Sequence, residues 1–241
     1  MESTLGLLAL SPPGWGGTLL VGLWASIQIA VGAFGLGLLI GLGGAYGKIY
    51  GGPVLRDCLG VYTTVVRALP ELILILLLYF GLTDMVNQLM LALGYGRIQI
   101  SGVLAGIIVL GVVQGAYATE ILRGAILAVP PGQIEAARAM GMPAGKIARR
   151  ITIPTMLGLA LPGLSNLWLI ATKDTALLAI VGFNELTLAT RQAAGTTKAF
   201  FTFFIAAGVI YLAISLLSTW GFARVEAWAR RGDPPRVSGA R

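Results

Sequence analysis

Histidine is absent from this 241-residue chain, and cysteine occurs once, at Cys58. Those gaps remove the commonest metal ligands and any intrachain disulfide, and Cys58 reads as a small apolar side chain. Charge is scarce too. Asp, Glu, Lys and Arg supply 11% of the residues against 56% hydrophobic ones, whereas a soluble domain carries about 25% charge. The class is therefore an integral membrane protein. With no imidazole and few carboxylates, the usual parts for acid–base or metal-assisted chemistry are missing, which argues against a membrane-embedded enzyme. No G-x-x-x-x-G-K-[ST] is present, so the chain lacks the loop that cradles ATP phosphates. The net charge of +7 reports topology in such a protein, and no nucleic-acid partner is expected.

What the chain has in plenty is long apolar runs. A transmembrane helix needs about 20 mainly apolar residues to cross a hydrocarbon core about 30 Å thick. Five stretches qualify, roughly 17–46, 59–80, 101–128, 155–172 and 200–222. The first is too long and too glycine-rich for a signal peptide, with no basic region before it, and is expected to be retained. The chain is thus expected to be one membrane domain, 1–241, with its core over about 17–222 and a basic tail at about 223–241.

Lys and Arg positions set the orientation. The N-terminal tail has Glu2 and no basic residue, so it is placed outside. Lys48 and Arg56 put the first connection inside, and the second, 81–100, with only Arg97, is read as external. Arg123, Arg138, Lys146, Arg149 and Arg150 make the third connection internal, and Arg224, Arg230, Arg231, Arg236 and Arg241 do the same for the tail. The fourth connection, 173–199, holds an apolar segment at 176–183 that is too short to cross. It reads as a short helix folded back against the bundle. Trp15, Trp24, Trp220 and Trp228 fall near expected interfaces as belt residues, while Trp168 is deeper, either packed or lining a pathway.

Glycine is abundant, at 34 residues, and Gly32–Gly35, Gly37–Gly41 and Gly102–Gly106 set small residues at helical spacing inside the spans. Such stripes let helices approach closely, within one subunit or between two. No inverted repeat of the secondary-transporter kind is apparent.

The segment 130–154 is the long polar passage between two apolar spans. Val129-Pro130-Pro131-Gly132 stops one helix and starts another, because proline cannot continue a helix but suits a first position. Glu135 to Met140 are good helix formers, and Gly141 stands where a C-terminal glycine would end that helix. Met142-Pro143 then opens a second short helix bearing Lys146, Arg149 and Arg150. Glu135 and Arg138, three apart, can pair with each other or with a docked partner.

Ionisable residues inside apolar spans cost about 2.5–3.5 kcal/mol each on insertion scales and usually face a cavity or a partner. Glu71 and Arg67 at i and i+4, and Glu120 and Arg123 at i and i+3, admit internal ion pairs. Lys173-Asp174 differ, since adjacent helical residues point apart. They either anchor the end of the fourth span or form a site for a zwitterion, with Lys173 taking a carboxylate and Asp174 an ammonium. Thr175, Asn166 and Gln114 are candidate neutral partners there, and Glu120 a further acidic one.

These motifs carry a family resemblance. Glu135-Ala136-Ala137 with Gly141 and Ile151-x-Ile153-Pro154 resembles the EAA loop of ABC-importer membrane permeases. Gly115-Ala116-Tyr117-x-Thr119-Glu120-x-x-Arg123-Gly124 and Arg67-x-x-Pro70-Glu71-Leu72 are similar to the polar amino-acid branch. Leu161-Pro162-Gly163-Leu164-x-Asn166-Leu167-Trp168 and Lys173-Asp174-Thr175-Ala176-Leu177 resemble the histidine/lysine/arginine/ornithine and opine permeases within it.

The resemblance implies a type I importer permease of about five helices in the bacterial inner membrane, N-terminus out and C-terminus in. Its partners would be a second permease subunit, identical or homologous, two ATP-binding subunits and an extracytoplasmic substrate-binding protein. ATP and Mg would sit on the ATPase, with no cofactor in this chain. Glu135, Ala136, Ala137, Arg138, Gly141, Arg149 and Arg150 would serve coupling to that ATPase. A self-sufficient secondary carrier or channel is the competing reading, and it gives the charged loop no obligatory role.

Overall fold

The computed structural model describes residues 4–97 and 101–229, and every regular element among them is helical. In order these are α1 (Thr4–Leu7), α2 (Gly16–Tyr50), α3 (Pro53–Ala68), α4 (Glu71–Ala92), α5 (Gly102–Leu127), α6 (Pro131–Ala139), α7 (Ala144–Ile147), α8 (Ile153–Asp174), α9 (Leu186–Thr197) and α10 (Phe200–Ala229). Among the described residues five segments are long and apolar enough to cross a membrane: Gly16–Tyr50, Glu71–Ala92, Gly102–Leu127, Ala144–Val181 and Phe200–Ala229. Arg230, Arg231, Arg236 and Arg241 of the basic tail lie outside the described residues.

The most extensive helix contact is α2 against α5, and glycine makes it possible. A Cβ on Gly41 would lie 2.5 Å from the Ala118 Cβ, one on Gly37 2.9 Å from the Gln114 Cβ, and one on Gly115 2.6 Å from the Ile40 side chain. The small-residue rows of both helices thus interlock inside one chain. Gly102 and Gly106 are used the same way, under Phe183 and Leu178. Gly35, by contrast, faces open space. Without a hydrophobic driving force between helices in lipid, such close approach supplies the packing energy.

The second span differs from its sequence expectation. The apolar window at 59–80 straddles two helices, because Pro70 has no N–H and forces Leu69 out of the helical region. The chain ends α3 at Ala68 and begins α4 at Glu71, so the span is Glu71–Ala92 and the connection that follows it is shorter than the expected 81–100. At about 1.5 Å per residue, 22 residues are long enough to cross. The helix α3 lies outside the spans, with Thr63 and Val66 buried and Arg56 and Asp57 exposed. Tyr62 pins it to α5 by donating from Oη to the Val112 carbonyl at 2.5 Å, and burial pushes the phenol pKa up to about 12. The break also separates Arg67 from Glu71, which form no ion pair.

Beyond α8 the chain tightens into a 3-10 helix, Thr175–Val181, and reverses at Gly182 with φ +87. Leu178 and Phe183 pack in the core with Ile29, Ala105 and Val109, so the apolar segment at 176–183 does fold against the bundle. The sequence pattern gives no sign of α9. It packs on α2 and α10 and is capped by Glu185, whose carboxylate accepts from the Thr187 and Leu188 amides, each at 2.8 Å. Ser26 on α2 and Tyr211 on α10 also donate to Glu185 Oε2, each at 3.3 Å. Trp168 is a packing residue, donating to Ser218 Oγ at 2.9 Å and meeting Phe34 edge-on.

Candidate functional site

Two of the polar regions among the described residues hold most of the candidate residues. The first is the passage between α5 and α8. Pro130 and Pro131 open α6, as the sequence indicates, and α6 ends in a glycine turn. Gly141 adopts φ +74, its amide bonding to the Arg138 carbonyl at 2.9 Å and the Met142 amide to the Ala137 carbonyl at 3.0 Å. This reciprocal pair is a Schellman closure, which satisfies the last carbonyls of a helix and fixes the exit direction of the chain.

Two faces of α6 follow. Ala137 is 4% exposed and Ile134 packs against the core with Val129 and Met156, so that side holds the helix to the body. Glu135, Ala136, Arg138, Ala139 and Met140 are exposed, Met140 at 84%. Glu135 and Arg138 form no ion pair with each other among the described residues, leaving both free for a partner. Met140 is the largest apolar group on this face, and the motif itself does not mark it.

Past α7 the chain widens into a π-helix over Ala148–Thr152. Pro154 supplies the reason, since it lacks the N–H that would bond the Arg150 carbonyl and its ring crowds that same carbonyl. Lys146, Arg149 and Arg150 are all exposed on this stretch.

The second region lies in the interior. Asp174 ends α8 at 8% exposure and accepts from Gln114 Nε2 of α5 at 3.2 Å. Glu71, in the first turn of α4, stands near enough to Asp174 and Tyr117 to act on both electrostatically. Arg67 stands near enough to Tyr117 to act on it electrostatically. Gln114 is fully buried and its Oε1 has no donor. An orphaned carbonyl beside two neighbouring carboxyl groups is suited to N–H donors carrying positive charge.

The other candidates are distributed around this centre. Thr175 is buried next to Asp174 but spends its hydroxyl on the Thr172 carbonyl at 2.8 Å. Lys173 and Asn166 are exposed and seven residues apart on α8, hence on one face. Glu120 belongs to a different group. Lys48 reaches it at 2.5 Å and Arg123 at 2.9 Å, while Lys48 also donates to Thr63 at 2.7 Å, so this cluster ties α2, α3 and α5 together. Six residues separate Glu120 from Gln114, about 9 Å along the helix and on a different face. Motif reading leaves Glu71 out of the site, because it pairs that residue with Arg67 on a helix that Pro70 breaks.

Known proteins of similar sequence are permeases. The chain is 42% identical over 230 residues to the nopaline transport system permease protein NocQ of Agrobacterium fabrum (strain C58), covering 95% of this chain and 98% of that one. It is 41% identical over 205 residues to the histidine/lysine/arginine/ornithine transport system permease protein HisQ of Escherichia coli (strain K12), with 85% and 90% covered. Among solved structures, an amino acid ABC transporter crystallised with histidines superposes with a TM-score of 0.75 at 28% identity, covering 88% of this chain and 94% of the other. An inward-facing methionine ABC transporter shares the fold, with a TM-score of 0.74 at 21% identity.

The family model for the inner membrane component of binding-protein-dependent transport systems matches residues 33–231. With five membrane-length segments among its described residues, the chain belongs to this family of multi-pass bacterial inner-membrane permeases.

Proposed function

We propose that this chain is one half of the translocation pathway of an ATP-driven importer for polar, basic amino acids or opines. It pairs with a second permease subunit, receives ligand from an extracytoplasmic binding protein, and is driven by two ATPase subunits that carry ATP and Mg. The N-terminus lies outside and the α6–α7 loop inside.

In this reading α6 is the coupling element. Glu135, Ala136, Arg138 and Gly141 seat in the ATPase, Ala137 braces the helix from behind, and Arg149 and Arg150 stand at the membrane edge of the contact. The Schellman turn at Gly141 makes α6 and α7 one stiff lever rather than a flexible loop. Closure of the ATPases then shifts the spans between outward-open and inward-open states through differential binding.

The ligand's ammonium or cationic side chain is held at Asp174, with Glu71 beside it and the Gln114 carbonyl accepting an N–H. Lys173, on the exposed face of α8 with Asn166, takes the carboxylate. Glu120 acts on this site only through helix position. The observation that carries the reading is the orphaned Gln114 Oε1 beside Asp174, an acceptor in the protein interior with no internal donor. The experiment is uptake of labelled arginine, histidine and nopaline into vesicles holding the full transporter. Saturable uptake of at least one, dependent on ATP and the binding protein, is the expected result. ATP-independent uptake by this chain alone would overturn it.

A further inference from the structure

Lys146, Arg149 and Arg150 line one cavity of about 530 Å³ with Gly145. They sit at i, i+3 and i+4, a spacing at which like charges on adjoining turns repel. Among the described residues, none of the three forms an ion pair. Three exposed cations lining one cavity, with no counter-charge among the described residues, favour an anion from outside the chain.

The position says which anion. The three residues open the membrane-length segment Ala144–Val181, whose 38 residues exceed the roughly 20 that the hydrocarbon core needs. In the topology proposed above, its first turns are the cytoplasmic end and carry its cluster of basic residues, which places them near the headgroups, where phosphates lie. A second cavity, of about 700 Å³, shares Gly145 with the first and is mainly apolar, with Tyr46, Ile49, Leu127, Ile134 and Ile147 among its walls. Along the next turns of α8, Ile153 and Leu157 are exposed. A cationic cavity adjoining an apolar one, at the depth where phosphates give way to acyl chains, matches an amphiphile with an anionic head.

We propose that the Lys146–Arg149–Arg150 cavity binds the phosphate of an anionic phospholipid, with an acyl chain in the adjoining apolar cavity. The lipid neutralises the repulsion among the three cations and steadies the π-helix that joins the coupling loop to α8. Basic pockets beside membrane-spanning helices bind such headgroups.

The test uses the assembled transporter in equal parts phosphatidylglycerol and phosphatidylcholine, with retained lipid counted by native mass spectrometry. The wild type is expected to retain phosphatidylglycerol preferentially. K146Q, R149Q and R150Q are each expected to lower that preference about fivefold, near what one cation at the surface contributes. The charge-keeping R149K/R150K variant is expected to hold most of it, which separates charge loss from misfolding. R224Q, which removes a cation beside Trp220, is expected to leave it unchanged. Equal retention of both lipids by the wild type overturns the proposal. So does an equal loss in R224Q, which would mean diffuse attraction. Displacement of the lipid by inorganic phosphate alone would assign the cavity to the free ion. Loss of the ATPase subunits with lipid retention intact would assign it to a protein contact.

Discussion

Gln114 Nε2 donates to Asp174 Oδ2 at 3.2 Å, joining the middle of α5 to the end of α8 and leaving the Gln114 carbonyl oxygen buried without a donor. In the proposed function this pair is the floor of the ligand site. Asp174→Asn keeps the shape and removes the charge, so it is expected to cut uptake of a basic substrate by tenfold or more, about 1.4 kcal/mol or greater. Lys173→Gln is expected to weaken uptake less, because Lys173 is exposed. Vesicle uptake measured beside assembly of the complex checks both. Unchanged uptake in the two variants would make the pair structural.

Glu120 is held by two cations, and removing its charge leaves Lys48 half-buried with a weaker partner. Glu120→Gln is expected to destabilise the protein by about 1–3 kcal/mol. The double variant Glu120→Gln/Lys48→Met should lose less than the sum of the single losses, because the two residues share one interaction. Thermal unfolding of the four proteins in one detergent measures that coupling.

The α2–α5 contact makes opposite forecasts for two glycines of the same helix. A Cβ on Gly41 meets Ala118 at 2.5 Å, whereas one on Gly43 meets nothing within 4 Å. Gly43→Ala is expected to be neutral or stabilising by up to about 1 kcal/mol, the helix preference of alanine over glycine. Gly41→Leu should force the helices apart and lower the melting temperature sharply. Comparable melting temperatures for the two variants would contradict the packing described.

Glu185 links stability to pH. Burial raises its pKa despite the amides of Thr187 and Leu188 and the hydroxyls of Ser26 and Tyr211, which pull the other way. The native protein thus keeps the proton at pH values where the unfolded chain has lost it. Stability from this group is therefore present below the unfolded carboxyl value and declines as pH rises through the higher native one. Glu185→Gln should flatten that decline, and Glu185→Ala should cost about 1 kcal/mol more through loss of the cap. Unfolding midpoints across the mildly acidic range test the sign.

How far a signal reaches along the chain decides which parts of this fold are legible in the sequence. Proline and glycine act on their immediate neighbours, so Pro130, Pro131 and Gly141 delimit α6 by residue type alone. Hydropathy averages over a window, which passes over Pro70 and merges α3 with the start of α4. The same averaging keeps Glu71 with Arg67 and away from Asp174, a tertiary neighbour about a hundred residues distant in the chain. The helix α9 escapes sequence patterning because its cap, Glu185, is stabilised by Ser26 and Tyr211 from remote segments. The inward turn of Ala137 is equally out of reach, since an alanine-rich helix gives little indication of which face packs.

In the proposed function, the exposed face of α6 transmits ATP-driven motion into the membrane. Glu135 is exposed and its replacement leaves the helix-ending turn untouched, so Glu135→Lys alters the contact without unfolding the loop. The decisive measurement is ATPase activity stimulated by the loaded binding protein in the reconstituted transporter, read together with the ATPase subunits retained on purification. The expected result is loss of the subunits, or subunits retained with stimulation reduced to the unstimulated rate. Full retention with full stimulation in Glu135→Lys would rule out that role for α6.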